Sequence, residues 1–243
     1  MGIPESDARI FDVMYQCRAM RRLKPDPVPE DVLVGLVDAA LQGPSGSNAQ
    51  NWTFVIVRDV EQKRRIQAVW QRTWRFYLET AATARLREHE SQGARARMLS
   101  AASHLAEHLH EVPALIFIAV KRDDAFAEVL AAPATAIKGV KQLGPKAMSR
   151  LMLGSLRITG MADGATAYPA VQNLLLAARA RGLGAVLTTL HFFVPGEFER
   201  IIDLPRTVSL AAIVPVGYPH GRFGPVSRPS PREVLSWDRY TPR

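Results

Sequence analysis

The chain has 243 residues, 47% of them hydrophobic, which is enough for one large domain with a substantial core. This composition excludes a disordered or collagenous chain, and no apolar run approaches the ~20 residues that would span a bilayer. Lys and Arg number 31 against 23 Asp and Glu, and the net charge of +8 suits anionic partners without choosing between phosphorylated cofactors and nucleic acid.

The first residues carry acids and no apolar signal-peptide core, so a cytoplasmic location is expected. A helix is predicted over residues 7–17, with Ile10, Phe11, Val13, Met14 and Cys17 at helical spacing. Cys17 is the only cysteine, so it is read as a free thiol. The run RAMRRLKPDP ends this helix. Arg18 and Arg22 would point the same way if the helical turn continued through them, and paired guanidinium groups suit a phosphate. A second helix over VPEDVLVGLVDAALQG starts near Pro29, with Glu30 and Asp31 in its first turn. Val32, Leu33, Leu36, Val37, Ala40 and Leu41 form its expected buried stripe, and Gly43 and Pro44 stop it.

The loop PSGSNAQNW follows. Its small residues allow close approach to a flat ligand, and Ser45, Ser47, Asn48 and Gln50 offer donors and acceptors. TFVIVRD reads as a buried strand. Residues 60–90 read as a charged helix carrying Trp70, Trp74, Phe76 and Tyr77, and 94–110 as another helix. On the latter, His104 and His108 stand four apart, which fits a metal pair, yet no acidic partner segment is evident and a solvated face is the preferred reading. VPALIFIAVKR is a continuous apolar run and hence an interior strand. Residues 122–166 look less regular, and a nearly all-apolar, central helix is predicted over 168–181, beginning at Pro169. A short strand (GAVLTTL), a short helix (PGEFERIID), a strand (VSLAAIVPVGYP) and a turn-rich surface tail complete the chain. Three or four strands among more helix give α+β or α/β, as a single domain over 1–243.

No G-x-G-x-x-G opens a helix, and there is no G-x-x-x-x-G-K-[ST], G-x-S-x-G or H-E-x-x-H, so several well-known catalytic frameworks drop out. What remains is five segments in order: Arg18–Arg22 as R-x-x-x-R; PSGSNAQNW, with Asn51 where proline is common; AVQNLLLAARARGLGAV from Ala170 to Val186; Val216-Gly217-Tyr218-Pro219 at a strand end; and Arg228 near the C-terminus. Together they resemble the nitroreductase family of FMN enzymes over about residues 15–235.

The resemblance implies an α+β nitroreductase-like fold, in which a mostly antiparallel central sheet is surrounded by helices, and an intertwined homodimer with FMN at its interface. Carried onto this chain, Arg18, Arg22 and Arg228 would bind the phosphate, with Ala19 and Met20 beside the ribityl chain. Pro44, Ser45, Gly46, Asn48 and Gln50 would border the flavin from the other subunit. Thr188 and Thr189 would lie near ring N5 and O4, where hydride arrives. NADH or NADPH would be the co-substrate and a nitroaromatic, quinone or similar small molecule the acceptor, with no nucleic acid or membrane as partner. Met20 stands where Ser is frequent and Val226 where a second basic residue is frequent. Arg72 and Arg75 are candidates for a cation near ring N1. The same scaffold hosts reductive dehalogenases, a flavin-cleaving enzyme and azoline oxidases. A cofactor-free, basic nucleic-acid-binding protein is the reading from another class. Residues 122–166 match none of the motifs and are expected to form an insert, read as a lid over the flavin against the alternative of a surface excursion.

Overall fold

A computed structural model describes residues 9–81, 84–87, 90–122, 128–129, 132–153 and 155–241. Among them, four strands form one antiparallel sheet in the order β1-β2-β4-β3: β1 Trp52–Val57, β2 Ala114–Lys121, β3 Gly184–Ala185 and β4 Val208–Gly217. β2 and β4 lie in the middle, with Phe117 opposite Ile213 and a register shift between Ile118 and Ala119. A central strand is covered on both faces, so its alternate side chains all meet apolar neighbours. This is why β2 is a continuous apolar run, buried from Ala114 to Val120. β1 is an edge strand and only half-buried until Val57, which corrects the expectation of a buried strand there.

The period-two alternation divides the core. Leu115, Phe117 and Ile213 face one layer, with Ile66, Trp70 and Trp74 of α3 (Val60–Ala81) and Leu105 of α4 (Gln92–Glu107). Ile116, Ile118, Ala212 and Val214 face the other. There they meet Leu33, Leu36 and Ala40 of α2 (Glu30–Leu41), with Ala170, Leu174 and Ala178 of the long helix Ser155–Ala180. Each fully buried large side chain of this kind contributes roughly 1.5–3 kcal/mol. Leu41, expected in the buried stripe of α2, is exposed, because the helix ends there and turns away.

Two sequence expectations are corrected between β2 and β3. The segment expected to be irregular holds α5 (Pro133–Leu143), α6 (Pro145–Leu153) and the start of α7 (Ser155–Ala180). The punctuation is local: Pro133 and Pro145 sit at first helical positions, and Gly144 adopts φ 82 between the two helices. The long helix also runs through Pro169 instead of starting there. Proline removes one donor from the helix ladder. Burial of Ala167, Ala170, Val171 and Leu174 against the sheet offsets that loss. Gly43 lies against the same turn, where a Cβ would come within 2.9 Å of the Ala170 nitrogen, so α2 and α7 meet backbone to backbone.

The remaining short elements are α1 (Ile10–Gln16), α8 (Glu197–Ile201) and α9 (Pro231–Val234). Residues 7–8 of the predicted first helix lie outside the described residues, as do 82–83 and 88–89 of the predicted 60–90 helix and 123–127, 130–131 and 154 of the 122–166 segment. Among the described residues, no helix is long and apolar enough to cross a membrane.

Candidate functional site

α1 ends at Gln16, and Cys17 leaves the helical region with φ −74 and ψ 84. Arg18 and Arg22 therefore do not stack on a helical turn, which corrects the expected i, i+4 geometry. The segment runs extended along β3, with Met20 N–H donating to Ala185 O at 3.0 Å. Gly184 makes this possible, because a Cβ there would stand 2.9 Å from Met20 Cβ and 2.8 Å from Leu23 Cδ2. The chain after β4 returns beside the same segment. Lys24 N–H donates to Tyr218 O at 2.7 Å, His220 N–H to Arg22 O at 3.0 Å and Val226 N–H to Tyr15 O at 3.1 Å. The tail is thus tied to the arginine segment, and Arg228 follows two residues after the last tie. Arg18 and Arg228 are exposed and so is Arg22, whose guanidinium donates to Ser100 Oγ at 3.2 Å. Among the described residues, none of the three pairs with a carboxylate, and Arg228 donates only to Ser227 O. These cations are free to meet an anion. Ala19, between them, is also exposed.

Thr188 and Thr189 lie on the other side of β3. Thr188 is bridged to Ile213, giving its N–H to Ile213 O at 3.0 Å and accepting from Ile213 N–H at 3.1 Å. Its backbone is therefore committed, and only its hydroxyl is available. Thr189 accepts from Phe192 N–H and caps the 3-10 turn Leu190–Phe193. Both threonines line a cavity of about 210 Å³. The opposite wall is Trp70, Trp74 and Tyr77, one stripe of α3, with Trp74 and Tyr77 stacked at 5.1 Å. Met98, Ala102 and Leu105 of α4 close the floor, and Phe193 stands at the edge, 6.2 Å from the Tyr77 ring.

One charged side chain enters this cavity, that of Arg21. Burial lowers its affinity for its proton, while Tyr77 nearby acts the other way. A guanidinium stays charged at any physiological pH even so. No hydrogen bond or ion pair holds it among the described residues, and none of the lining residues is acidic.

The PSGSN loop lies elsewhere. It forms a 3-10 turn at Gly46–Asn48 and is anchored on α7, with Gly46 N–H donating to Thr166 Oγ1 at 3.3 Å and Trp52 Nε1 to Thr166 O at 2.9 Å. Ser47, Asn48 and Gln50 all hold positive φ, near 50°. Such a cluster costs stability for side chains that rarely adopt it and commonly marks a functional loop. Gln50 is fixed by its N–H on Ser45 Oγ and its Nε2 on Asn48 Oδ1, both at 3.1 Å. Pro44, Gly46, Asn48 and Gln50 are exposed and Ser45 is half-buried. The loop feeds β1 at one edge of the sheet, whereas Thr188 is bridged at the other, about 14 Å away by strand spacing. Within one chain the structure joins the arginine segment, the tail and the threonines around β3 but leaves the loop apart.

A profile described as the Nitroreductase family matches residues 15–153 and 160–218. The chain belongs to the nitroreductase family. It is 28% identical over 223 residues to the NADH dehydrogenase of Thermus thermophilus, covering 90% of this chain and 91% of that one. To the iodotyrosine deiodinase of Thermotoga neapolitana it is 27% identical over 210 residues, covering 86% and 88%. Its fold matches that of an iodotyrosine deiodinase bound to FMN and 3-iodo-L-tyrosine with a TM-score of 0.64 at 22% identity, covering 96% of this chain and 100% of that chain. Nitroreductase-superfamily members are flavin oxidoreductases.

The residues that sequence reasoning missed are Arg21 and the α3 wall. Trp70, Trp74 and Tyr77 stand at i, i+4 and i+7, a spacing that puts them on one helix face, and that was the available signal. Arg21 carried none, since it sits in a run of basic residues whose directions diverge only once the segment is extended. The donor set suits a flavin mononucleotide: unpaired cations for a phosphate, a free Thr188 hydroxyl and an apolar, partly aromatic surround for a ring. His104 and His108 stack at 4.4 Å, half-buried against the expected solvated face, and no cluster of three metal-ligating side chains occurs among the described residues.

Proposed function

We propose that this nitroreductase-family protein is an FMN-dependent oxidoreductase that takes electrons from NADH or NADPH and passes them to an electron-poor small molecule such as a nitroaromatic or a quinone. The observation that carries the reading is the tail tied along the arginine segment. It brings Arg18, Arg22 and Arg228, cations without carboxylate partners, to the same edge of the sheet as Thr188 and Thr189. Bound FMN supplies the hydride chemistry, and the protein supplies orientation and charge. Arg18, Arg22 and Arg228 hold the phosphate. Ala19 and Met20 would lie beside the ribityl chain, and the Thr188 hydroxyl and Thr189 would stand by the ring, offering hydrogen bonds to negative charge that develops there.

The active unit in this reading is a homodimer. Ile10, Phe11, Met14 and Tyr15 of α1 and Ile137, Val140 and Leu143 of α5 are exposed in the single chain, more apolar surface than isolated residues explain. The partner's copy of Pro44, Ser45, Gly46, Asn48 and Gln50 completes each flavin site, and α5 with α6 borders its open face as a lid.

The deciding experiment is purification followed by a visible spectrum and mass analysis of the released cofactor, then anaerobic mixing with NADH and NADPH separately. A yellow dimer releasing FMN, bleached by one or both nucleotides and recoloured by a nitroaromatic, is the expected result. A colourless protein that takes up no added FMN overturns the reading. Reductive dehalogenation is the second reading, favoured by the likeness to iodotyrosine deiodinases. None of the side chains lining the cavity beside Thr188 is acidic, so a carboxylate for a substrate ammonium group would have to come from outside it.

A further inference from the structure

We infer that Arg179, which has no part in the contacts assigned above to FMN, is the positioning residue of the phosphate site. It clasps the end of α1 to the tail and so holds the segments that carry Arg18 and Arg228 in place before the anion arrives. The inference rests on the FMN reading for what those two arginines bind.

Arg179 lies half-buried in the last turn of α7. Its Nη2 donates to Gln16 Oε1 at 2.7 Å, and its Cζ stands 4.0 Å from the centre of the Phe223 ring. Gln16 is the last residue of α1 and Phe223 belongs to the tail, so one guanidinium joins both segments. The turn that it holds is the one that redirects the chain toward β3. Arg18 N–H donates to Gln16 O at 2.9 Å, and Cys17 between them has φ −74 and ψ 84, the geometry of an inverse γ-turn. Cys17 Sγ donates to Leu175 O at 3.6 Å, one helical turn before Arg179. Two successive turns of α7 thus fix the γ-turn from which Arg18 emerges. Arg18 in turn reaches the tail beside Phe223, its Nη1 lying 3.9 Å from where a Cβ on Gly224 would stand.

An arginine in such a place commonly answers an acid. Among the described residues Arg179 belongs to no ion pair, and its Nε is buried without a hydrogen-bond partner. An amide oxygen and an aromatic face hold the guanidinium without bringing in a carboxylate that would compete with a phosphate for the neighbouring cations. Arg18 and Arg228 are exposed, and each loses rotamer freedom on closing over an anion. Fixing in advance the segments that carry them lowers that cost.

Fluorescence titration of the flavin-free protein with FMN and with riboflavin, which lacks the phosphate, separates positioning from general damage. Arg179→Met keeps an apolar chain against Phe223 but has no donor for Gln16. It should weaken FMN binding roughly tenfold and change riboflavin binding less than about twofold, the pattern expected when the phosphate must itself immobilise two rotamer-rich side chains. Gln16→Leu, which spares the Arg179 charge, should do the same. In an Arg18→Ala background the loss from Arg179→Met should shrink to roughly threefold or less, because one of the arms it positions is gone. Equal weakening of both flavins would make Arg179 a structural residue only, and a loss with Arg179→Met but not with Gln16→Leu would make it a charge acting from a distance. Either result overturns the inference, as does unchanged FMN affinity in both variants or an undiminished loss in the Arg18→Ala background. A wild-type protein that binds FMN no better than riboflavin, or binds neither, overturns the phosphate reading itself and the inference with it.

Discussion

The two faces of the sheet are built on different terms. On the α2/α7 face the side chains are small where helices meet: Gly43 touches the backbone of α7, and Ala40, Ala167, Ala170 and Ala178 let the helices close onto β2 and β4. On the α3/α4 face they are large and aromatic, and polar links join the elements. Lys63 Nζ donates to Val112 O at 2.7 Å, Gln67 Nε2 to Ala106 O at 3.2 Å, and Trp74 Nε1 to Ser103 Oγ at 3.0 Å. Large rings interdigitate less completely than alanines. The cavity with Arg21 is therefore on this face, and the other serves as the rigid platform beneath it.

The comparison can be broken first where packing is tightest. Leu174→Ala on the platform face should cost roughly 2–5 kcal/mol, because close-packed neighbours cannot collapse into the space it leaves. Urea unfolding read by circular dichroism measures this, and a loss below about 1 kcal/mol would show that the face is not rigid.

An acid-limb measurement comes next. His191 is buried on the cavity face, where desolvation pushes it from 6.5 down to about 4 despite its hydrogen bond to Leu210 O at 3.0 Å. The folded state thus binds fewer protons than the unfolded state between these values. Its contribution should be complete above about pH 6.5 and be lost as pH falls toward 4, by roughly 3 kcal/mol at the limit. Stability measured from pH 7 to 4 should show this slope, and His191→Gln should flatten it. An unchanged slope would assign the acid loss to other groups.

Arg18→Ala should weaken FMN binding by roughly 1.5–3 kcal/mol, tenfold or more, with the fold intact. Fluorescence titration with FMN measures it, and unchanged affinity removes Arg18 from the phosphate site. The smallest effect belongs to Met98→Ala. This half-buried side chain borders an existing cavity, so its loss should cost less than about 1 kcal/mol, in contrast to Leu174. A cost as large as that of Leu174→Ala would erase the difference between the faces.

Local patterns in the sequence determined much of this molecule. The unbroken apolar run at 114–120 specified a central strand, because only a strand covered on both faces tolerates it. Acids in the first turn and Gly-Pro after the last bounded α2, and five ordered segments pointed to the family. Other features escaped because their causes are not local. Pro169 reads as a helix start, yet burial of its neighbours against the sheet carries α7 through it. Gly144 and Pro145 separate α5 from α6, but the segment's mixed composition hid the helices on either side. Arg18 and Arg22 would share a face if the helical turn continued through them, and pairing with β3 across 165 residues of chain makes the segment extended instead. That last decision is tertiary, and it sends Arg21 into an aromatic cavity while Arg18 and Arg22 remain outside it, because the direction of each side chain follows from backbone pairing with a distant strand and not from its neighbours in the sequence.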